Sequence, residues 1–294
     1  MNAKVTDRLA TLCFILCAAI TAGTLFSLLG YIVFQGVSHI DWHFLTADAS
    51  TFQAGGGIKN QLWNSFYMLL MTMLFSVPLG IAGGIYLAEY ARPNKITAFL
   101  RSCVEVLASL PSIIVGMFGM LLFVNTFHWG YSVLSGALAL TIFNLPVIIR
   151  VTEDALAAVA RDQKEASFAL GATHWQTIRT VLLPAAFPGL LTGIILSVGR
   201  VFGESAALLF TAGLSTPNLN FGDWNPMSPQ SPINPFRSAE TLSVHIWAVN
   251  TNGIIPDAKI VAAASSAVLV IVVLLFNIIA RLVGALIEKR WSGK

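Results

Sequence analysis

The sequence predicts an all-α membrane protein of six transmembrane helices with both termini in the cytoplasm. Three observations carry that expectation. Of 294 residues, 56% are hydrophobic and 11% charged, with a mean hydropathy of +0.75. A soluble domain carries about 25% charged residues. Six apolar runs, at Leu9–Phe34, 63–88, 104–124, 131–150, 185–212 and 258–280, are each long enough for a helix of ~20 residues to cross ~30 Å of hydrocarbon. With the N-terminus inside, thirteen Lys and Arg fall in cytoplasmic segments. Only Lys59, Arg237 and Lys259 fall outside, and Arg200 alone lies within a span. That bias sets the orientation.

The first run follows Lys4 and Arg8 and holds 26 uncharged residues. A signal-peptide core has ~7–15 residues, so this run reads as a retained span. Cys13 and Cys17 sit in it and Cys103 near a cytoplasmic end. No outer pair exists for a disulfide, and all three read as small hydrophobes. In the third run, Pro111 breaks the helix locally between Ser109 and Ser112, freeing backbone groups to face a cavity or simply kinking it. Glu105, one turn after Arg101, reads as its structural partner. Asn144, two residues before Pro146 in the fourth run, is either a packing residue or a cavity-facing one. Domain organisation follows: residues 1–60 form the first helix and an outer loop, 61–284 a core of five helices, and 285–294 a cytoplasmic tail.

Two segments outside the bilayer are long. The outer one, 213–257, is rich in Pro, Asn and Ser and cannot be regular throughout. Within it Leu242, Ile246 and Val249 have helical spacing, which predicts a short interfacial helix with His245 as a polar residue at its surface. The cytoplasmic segment, 151–184, predicts two short helices. The first runs from Asp162 to a left-handed cap at Gly171. The second opens on the Thr173-His174-Trp175-Gln176 capping box, and Pro184 marks entry to the next span. A helix over 162–171 is too short to stand alone and needs packing or a partner groove.

The fifth run holds the costliest residues. Arg200 lies about 24 Å into it, with Glu204 one turn on. A charge there costs about 2.5–3.5 kcal/mol and belongs in a bundle interior or an aqueous path. On a continuous helix Gly193, Ser197, Arg200, Glu204 and Thr211 fall within about 60° of one another. That stripe suits one wall of a translocation path. It also suits a tight helix–helix seam, with Arg200 and Glu204 as an internal ion pair.

Residues Glu165-Ala166-Ser167, then Gly171, then Val181-Leu182-Leu183-Pro184 resemble the EAA loop of ABC importer permeases. Ser167 stands for the second Ala and Val181 for Ile. The stretch from Pro188 to Gly213, with its Gly-Arg-x-x-Gly-Glu core, resembles the fifth span of phosphate-specific ABC importer permeases of the PstA type. L-A-S-L-P-S-I-I-V-G-M at 107–117 and N-L-P-V-I-I-R at 144–150 fit the same family. The resemblance covers roughly residues 60–290. It implies a type I ABC importer permease fold and inward transport of inorganic phosphate, in a multi-pass protein of the bacterial cytoplasmic (inner) membrane. It implies ATPase coupling through Glu165, Ala166, Ser167, Gly171, Leu183 and Pro184. It implies a path lined by Arg200 and Glu204, to which Ser197, Thr211, Ser109 and Ser112 are added as candidates. The implied partners are a second permease subunit of the PstC type, an ATPase dimer and an extracytoplasmic phosphate-binding protein, besides membrane lipid, with no nucleic acid.

The sequence lacks any G-x-x-x-x-G-K-[ST] phosphate loop, so ATP and Mg are expected on the partner ATPase and no cofactor on this chain. His39, His43, His128, His174 and His245 are scattered, and neither a metal cluster nor a catalytic constellation is legible. The reading is a transport subunit, not an enzyme. A permease for another oxyanion, such as sulfate, molybdate or phosphonate, is the alternative, ahead of a membrane enzyme or ion-coupled carrier.

Overall fold

A computed structural model describes residues 3–50, 54–253 and 255–291. The predicted tail's Lys294 and the side chains of Lys289 and Arg290 lie outside the described residues. In order, the helices are α1 (Ala3–Val37), α2 (Trp42–Thr46), α3 (Lys59–Ile85), α4 (Lys95–Ser109), α5 (Ser112–Gly119), α6 (Val133–Ala157), α7 (Arg161–Ala169), α8 (His174–Thr177), α9 (Leu183–Phe202), α10 (Ala206–Thr211), α11 (Leu242–Asn252) and α12 (Ala258–Trp291). Wider π turns extend α3 over Tyr86–Tyr90, extend α5 over Met120–Thr126, and join α8 to α9 over Ile178–Leu182. The described residues hold five helices long and apolar enough to cross a membrane, or six if α4 and α5 count as one bent span.

The local break expected at Pro111 is a sharp turn of the chain. α4 and α5 meet at 103°. Pro111 lacks an N–H, and its ring pushes Leu110 out of the helical region to ψ 133. α4 is amphipathic, with Ile96, Phe99 and Val106 exposed, so it suits an interface rather than hydrocarbon. The run from Ser112 to Thr126 spans only about 22 Å. Arg101 and Glu105 do not pair with each other. Arg101 Nη2 lies 2.9 Å from Glu153 and Arg150 Nη2 lies 3.7 Å from Glu105, so two ion pairs tie α4 to α6 across a cleft of about 370 Å³.

The centre of the bundle is α3, α6, α9 and α10. Met68, Leu69, Leu140, Val198, Phe202 and Leu208 form one buried cluster there. Among the described residues α1 packs chiefly against α12 and leaves Phe14, Phe26 and Phe34 exposed. Lipid or a partner subunit solvates such a surface.

The outer segment is ordered and pinned to the start of α3. Trp63 Nε1 donates to Pro232 O (3.0 Å), Tyr67 OH to Ile233 O (2.6 Å), and Asn64 Nδ2 to Glu240 O (2.9 Å). Arg237 is 5% exposed and four of its five N–H groups are engaged: it donates to the Ser231, Pro232 and Ser238 carbonyls and to Asn64 Oδ1. Burial pushes its guanidinium down to about 10. α11 is where helical spacing placed it, with one face turned into the bundle. Leu242 and Val244 are fully buried against α12 and α3. His245 is buried too, with Nδ1 3.1 Å from Glu240 Oε1.

Arg237→Ala leaves Asn64 Oδ1 and three carbonyls without their donor, at about 1–3 kcal/mol per buried group left unpaired. The expected result is a lower unfolding temperature and proteolytic cleavage within 214–241, read by limited proteolysis in detergent or nanodiscs.

Candidate functional site

The predicted stripe on the fifth span is two structures rather than one wall. Its first half is a seam. A Cβ on Gly193 would lie 2.1 Å from Val151 Cγ1, and one on Gly189 3.0 Å from Ala155 Cβ, so these positions set the close crossing of α9 on α6. Ser197, one turn further, is 1% exposed, and its Oγ has no hydrogen-bond partner. The helix then ends at Phe202. Gly203 adds no side chain to hold the helix, and Glu204 supplies an alternative. Its Oε1 accepts from Ala207 N (3.2 Å), closing the start of α10, and its carbonyl accepts from Ser243 Oγ of α11 (2.7 Å). Thr211 therefore belongs to a separate short helix. It is buried, donates to Ala207 O (2.9 Å) and packs beside Gly119 of α5.

Arg200 occupies the last turn of α9, where the helix dipole favours a cation. Its Cζ lies 3.8 Å from the centroid of the Phe143 ring on α6. Among the described residues its guanidinium makes no hydrogen bond and no ion pair. The internal pair with Glu204 expected on one reading is absent. Ser109 is exposed at the end of α4 and bonds only Val106 O (2.7 Å). Ser112 is half-buried across the bend at the start of α5.

The cytoplasmic hairpin forms as its sequence signals require. α7 begins one residue before Asp162, which sits in the first turn. Gly171 takes φ +85, Gly171 N donates to Phe168 O (2.9 Å) and Ala172 N to Ser167 O (3.2 Å): a Schellman cap. The Thr173–Gln176 capping box is present. Glu165 and Ala166 are exposed, while Ser167 is buried, its Oγ 2.9 Å from Thr177 Oγ1. Leu170 is 90% exposed at the tip. Leu183 and Pro184 are half-buried, but Pro184 does not begin a new helix. His174–Phe202 is one rod, because the π turn widens the ladder just where the proline has no N–H to give.

Glu89, which the sequence reading passed over, holds this hairpin. Its Oε2 receives both Lys164 Nζ of α7 and His174 Nε2 of α8, the latter at 3.0 Å. Phe143 was also missed. An aromatic residue in an apolar run carries no signal of its own; only its approach to Arg200 distinguishes it.

A helical bundle with a broken span, a half-buried guanidinium without a charge partner and an exposed helical hairpin is the context for comparison with known proteins. The model described as "Binding-protein-dependent transport system inner membrane component" matches residues 80–293. The chain belongs to that family. Across its whole length this permease is 60% identical to "Probable ABC transporter permease protein YqgI" of Bacillus subtilis, covering 100% of both chains. It is 32% identical to "Phosphate transport system permease protein PstA 2" of Mycobacterium bovis, over 98% of this chain and 91% of that one. Among solved structures, the bacterial alginate importer matches with TM-score 0.66 at 15% identity, over 97% of this chain and 99% of that one. The methionine transporter MetNI, in an inward-facing conformation, matches at TM-score 0.58 and 21% identity, over 76% and 93%. These likenesses give the fold of a type I ABC importer permease. The protein is a multi-pass transport subunit, not an enzyme.

Replacing Glu89 with Ala removes two charge-assisted bonds, each worth about 1.5–3 kcal/mol. Amide hydrogen exchange across 161–177 is expected to speed up by roughly tenfold or more, with the rod beyond 185 unaffected.

Proposed function

We propose that this permease moves inorganic phosphate inward, driven by ATP hydrolysed on a separate subunit. The observation that carries the reading is the Arg200 guanidinium, held inside a span with its donors unpartnered. An unpaired cation in the bundle attracts an anion, and the planar fork of arginine matches tetrahedral oxyanions. The PstA-named relatives support phosphate, including one from Xylella fastidiosa that is 41% identical over 157 residues. The YqgI name specifies no substrate, which keeps another oxyanion (sulfate, molybdate or phosphonate) as the second reading.

Glu204 favours phosphate within that choice. Oε1 caps α10, and Oε2 meets no donor among the described residues. Hydrogen phosphate carries a proton and can donate to a carboxylate; sulfate at neutral pH cannot. The proposed assembly pairs this chain with a second permease, which supplies further positive charge, and with an ATPase dimer and an extracytoplasmic phosphate-binding protein. Residues Glu165, Ala166, Ser167 and Gly171, with Leu183 and Pro184 behind them, form the coupling lever, and the exposed Leu170 tip supplies an apolar contact for the ATPase. Alternating access follows, with the site kept weak so that release to the cytoplasm is fast. The proposed home is the bacterial inner membrane.

Arg200→Gln is expected to abolish phosphate uptake while the complex still assembles on size-exclusion chromatography. Retained uptake would sink the assignment. Glu204→Gln keeps a carbonyl oxygen to cap α10 yet removes the charge. Its expected effect is inhibition of phosphate uptake by sulfate that the native protein resists, measured by competition in reconstituted vesicles.

A further inference from the structure

We propose that Phe143 is the positioning residue of the anion site: its ring acts as an uncharged counterion that holds Arg200 in the bundle and leaves every N–H of the guanidinium free for the transported oxyanion. The inference rests on the reading of Arg200 as the group that attracts the anion.

A guanidinium inside a bundle can be stabilised by a carboxylate, by carbonyl oxygens or by an aromatic face. A carboxylate neutralises the charge and occupies the same in-plane donors that an oxyanion needs. Carbonyls leave the charge but use the donors, as they do at Arg237. A ring does neither. At 3.8 Å from Cζ to centroid the guanidinium lies over the face of Phe143, where the negative side of the ring quadrupole meets the cation. Contact with a ring face uses none of the N–H groups as ordinary hydrogen-bond donors, and among the described residues none of those of Arg200 is engaged.

The ring is fixed where this requires it. Phe143 is buried. Its neighbour Asn144 donates to Ser76 Oγ of α3 (3.4 Å). Two turns along each helix, Gly193 meets Val151 in the seam that sets the spacing of α6 and α9. α6 and α9 therefore cannot separate at Phe143 without opening that seam. The one acid nearby in sequence, Glu204, is engaged by the α10 amide and does not reach Arg200 within 4.0 Å. The result is a site with positive charge, free donors and no competing anion.

The test uses the full complex of both permeases, ATPase and binding protein in vesicles, with phosphate and ATP turnover read together. Phe143→Leu is expected to lower phosphate moved per ATP by about tenfold, and Phe143→Trp, a stronger cation–π face, to restore it to within about threefold. Thermal unfolding gives the second reading. If the ring acts through the guanidinium, the shift caused by Phe143→Leu shrinks by about half or more in an Arg200→Gln background. Equal transport by the Leu and Trp variants, or an unfolding shift unchanged by Arg200→Gln, would mean that Phe143 only fills space, and overturns the proposal. Uptake that survives Arg200→Gln overturns the anion reading itself and this role with it. Loss of uptake in Arg200→Gln with Phe143→Leu unimpaired overturns the role of Phe143 alone.

Discussion

The cost of keeping a guanidinium inside a membrane span governs the middle of this molecule. At a helix centre that cost is about 2.5–3.5 kcal/mol. Contact of a half-buried guanidinium with an aromatic face returns about 0.5–2 kcal/mol, and a position in the last turn of a helix about 0.3–1 kcal/mol. Phe143 and the end of α9 supply both to Arg200. Together these contacts offset part of the cost without an acid. Glu204 is not paired with Arg200 and closes α10 where the span breaks at Gly203.

The two least exposed guanidiniums of the bundle and its outer cap show how the same side chain serves opposite ends. Arg237 is satisfied by three carbonyls and one amide, and its neighbours cannot move without losing bonds. That arrangement fixes the Pro- and Asn-rich outer segment, which has little regular structure to fix it otherwise. Arg200 is held by contacts that use no hydrogen bond. An arginine with nearly all its donors used is a strut. An arginine with none used has its hydrogen-bonding capacity in reserve.

Much of this was legible in the sequence, and the misses share a cause. The EAA-type spacing places Gly171 where a left-handed cap must be, and the capping box at Thr173 reads directly, because both are local and depend on backbone chemistry. The apolar runs and the Lys/Arg bias likewise depend on bulk properties. What failed depended on which helix faces which. Pro111 was seen to break its span, but not that it would turn the chain by 103° and make α4 an amphipathic strip. Arg101 and Glu105 have the spacing of an intrahelical pair, yet each finds α6 instead. The stripe through Thr211 assumed a continuous helix that Glu204 ends. His245 was given to the surface because nothing local shows Glu240 folding onto it. Phe143 was invisible for the same reason.

The cytoplasmic hairpin and the break beside Arg200 are joined by two rods. The hairpin of α7 and α8 is clamped by Glu89 at one end of α3, and it runs without a break into the rod His174–Phe202. That rod, about 43 Å long by helical rise, ends in the turn that carries Arg200. α3, at its other end, holds the outer segment through Asn64 and Gln61, the latter donating to Glu240 Oε2 (2.8 Å). α11, within that segment, donates from Ser243 to the Glu204 carbonyl. The hairpin, the outer segment and the break beside Arg200 thus form a closed mechanical loop of packed and hydrogen-bonded elements. Its weakest place is the π turn ahead of Pro184, where the ladder is already widened and one bond is missing. The Gly193–Val151 seam leaves no room for α9 to slide toward α6. The end of α9 that carries Arg200 is thus fixed to α6 by a close helix crossing and to α11 by the Ser243 hydrogen bond to the Glu204 carbonyl.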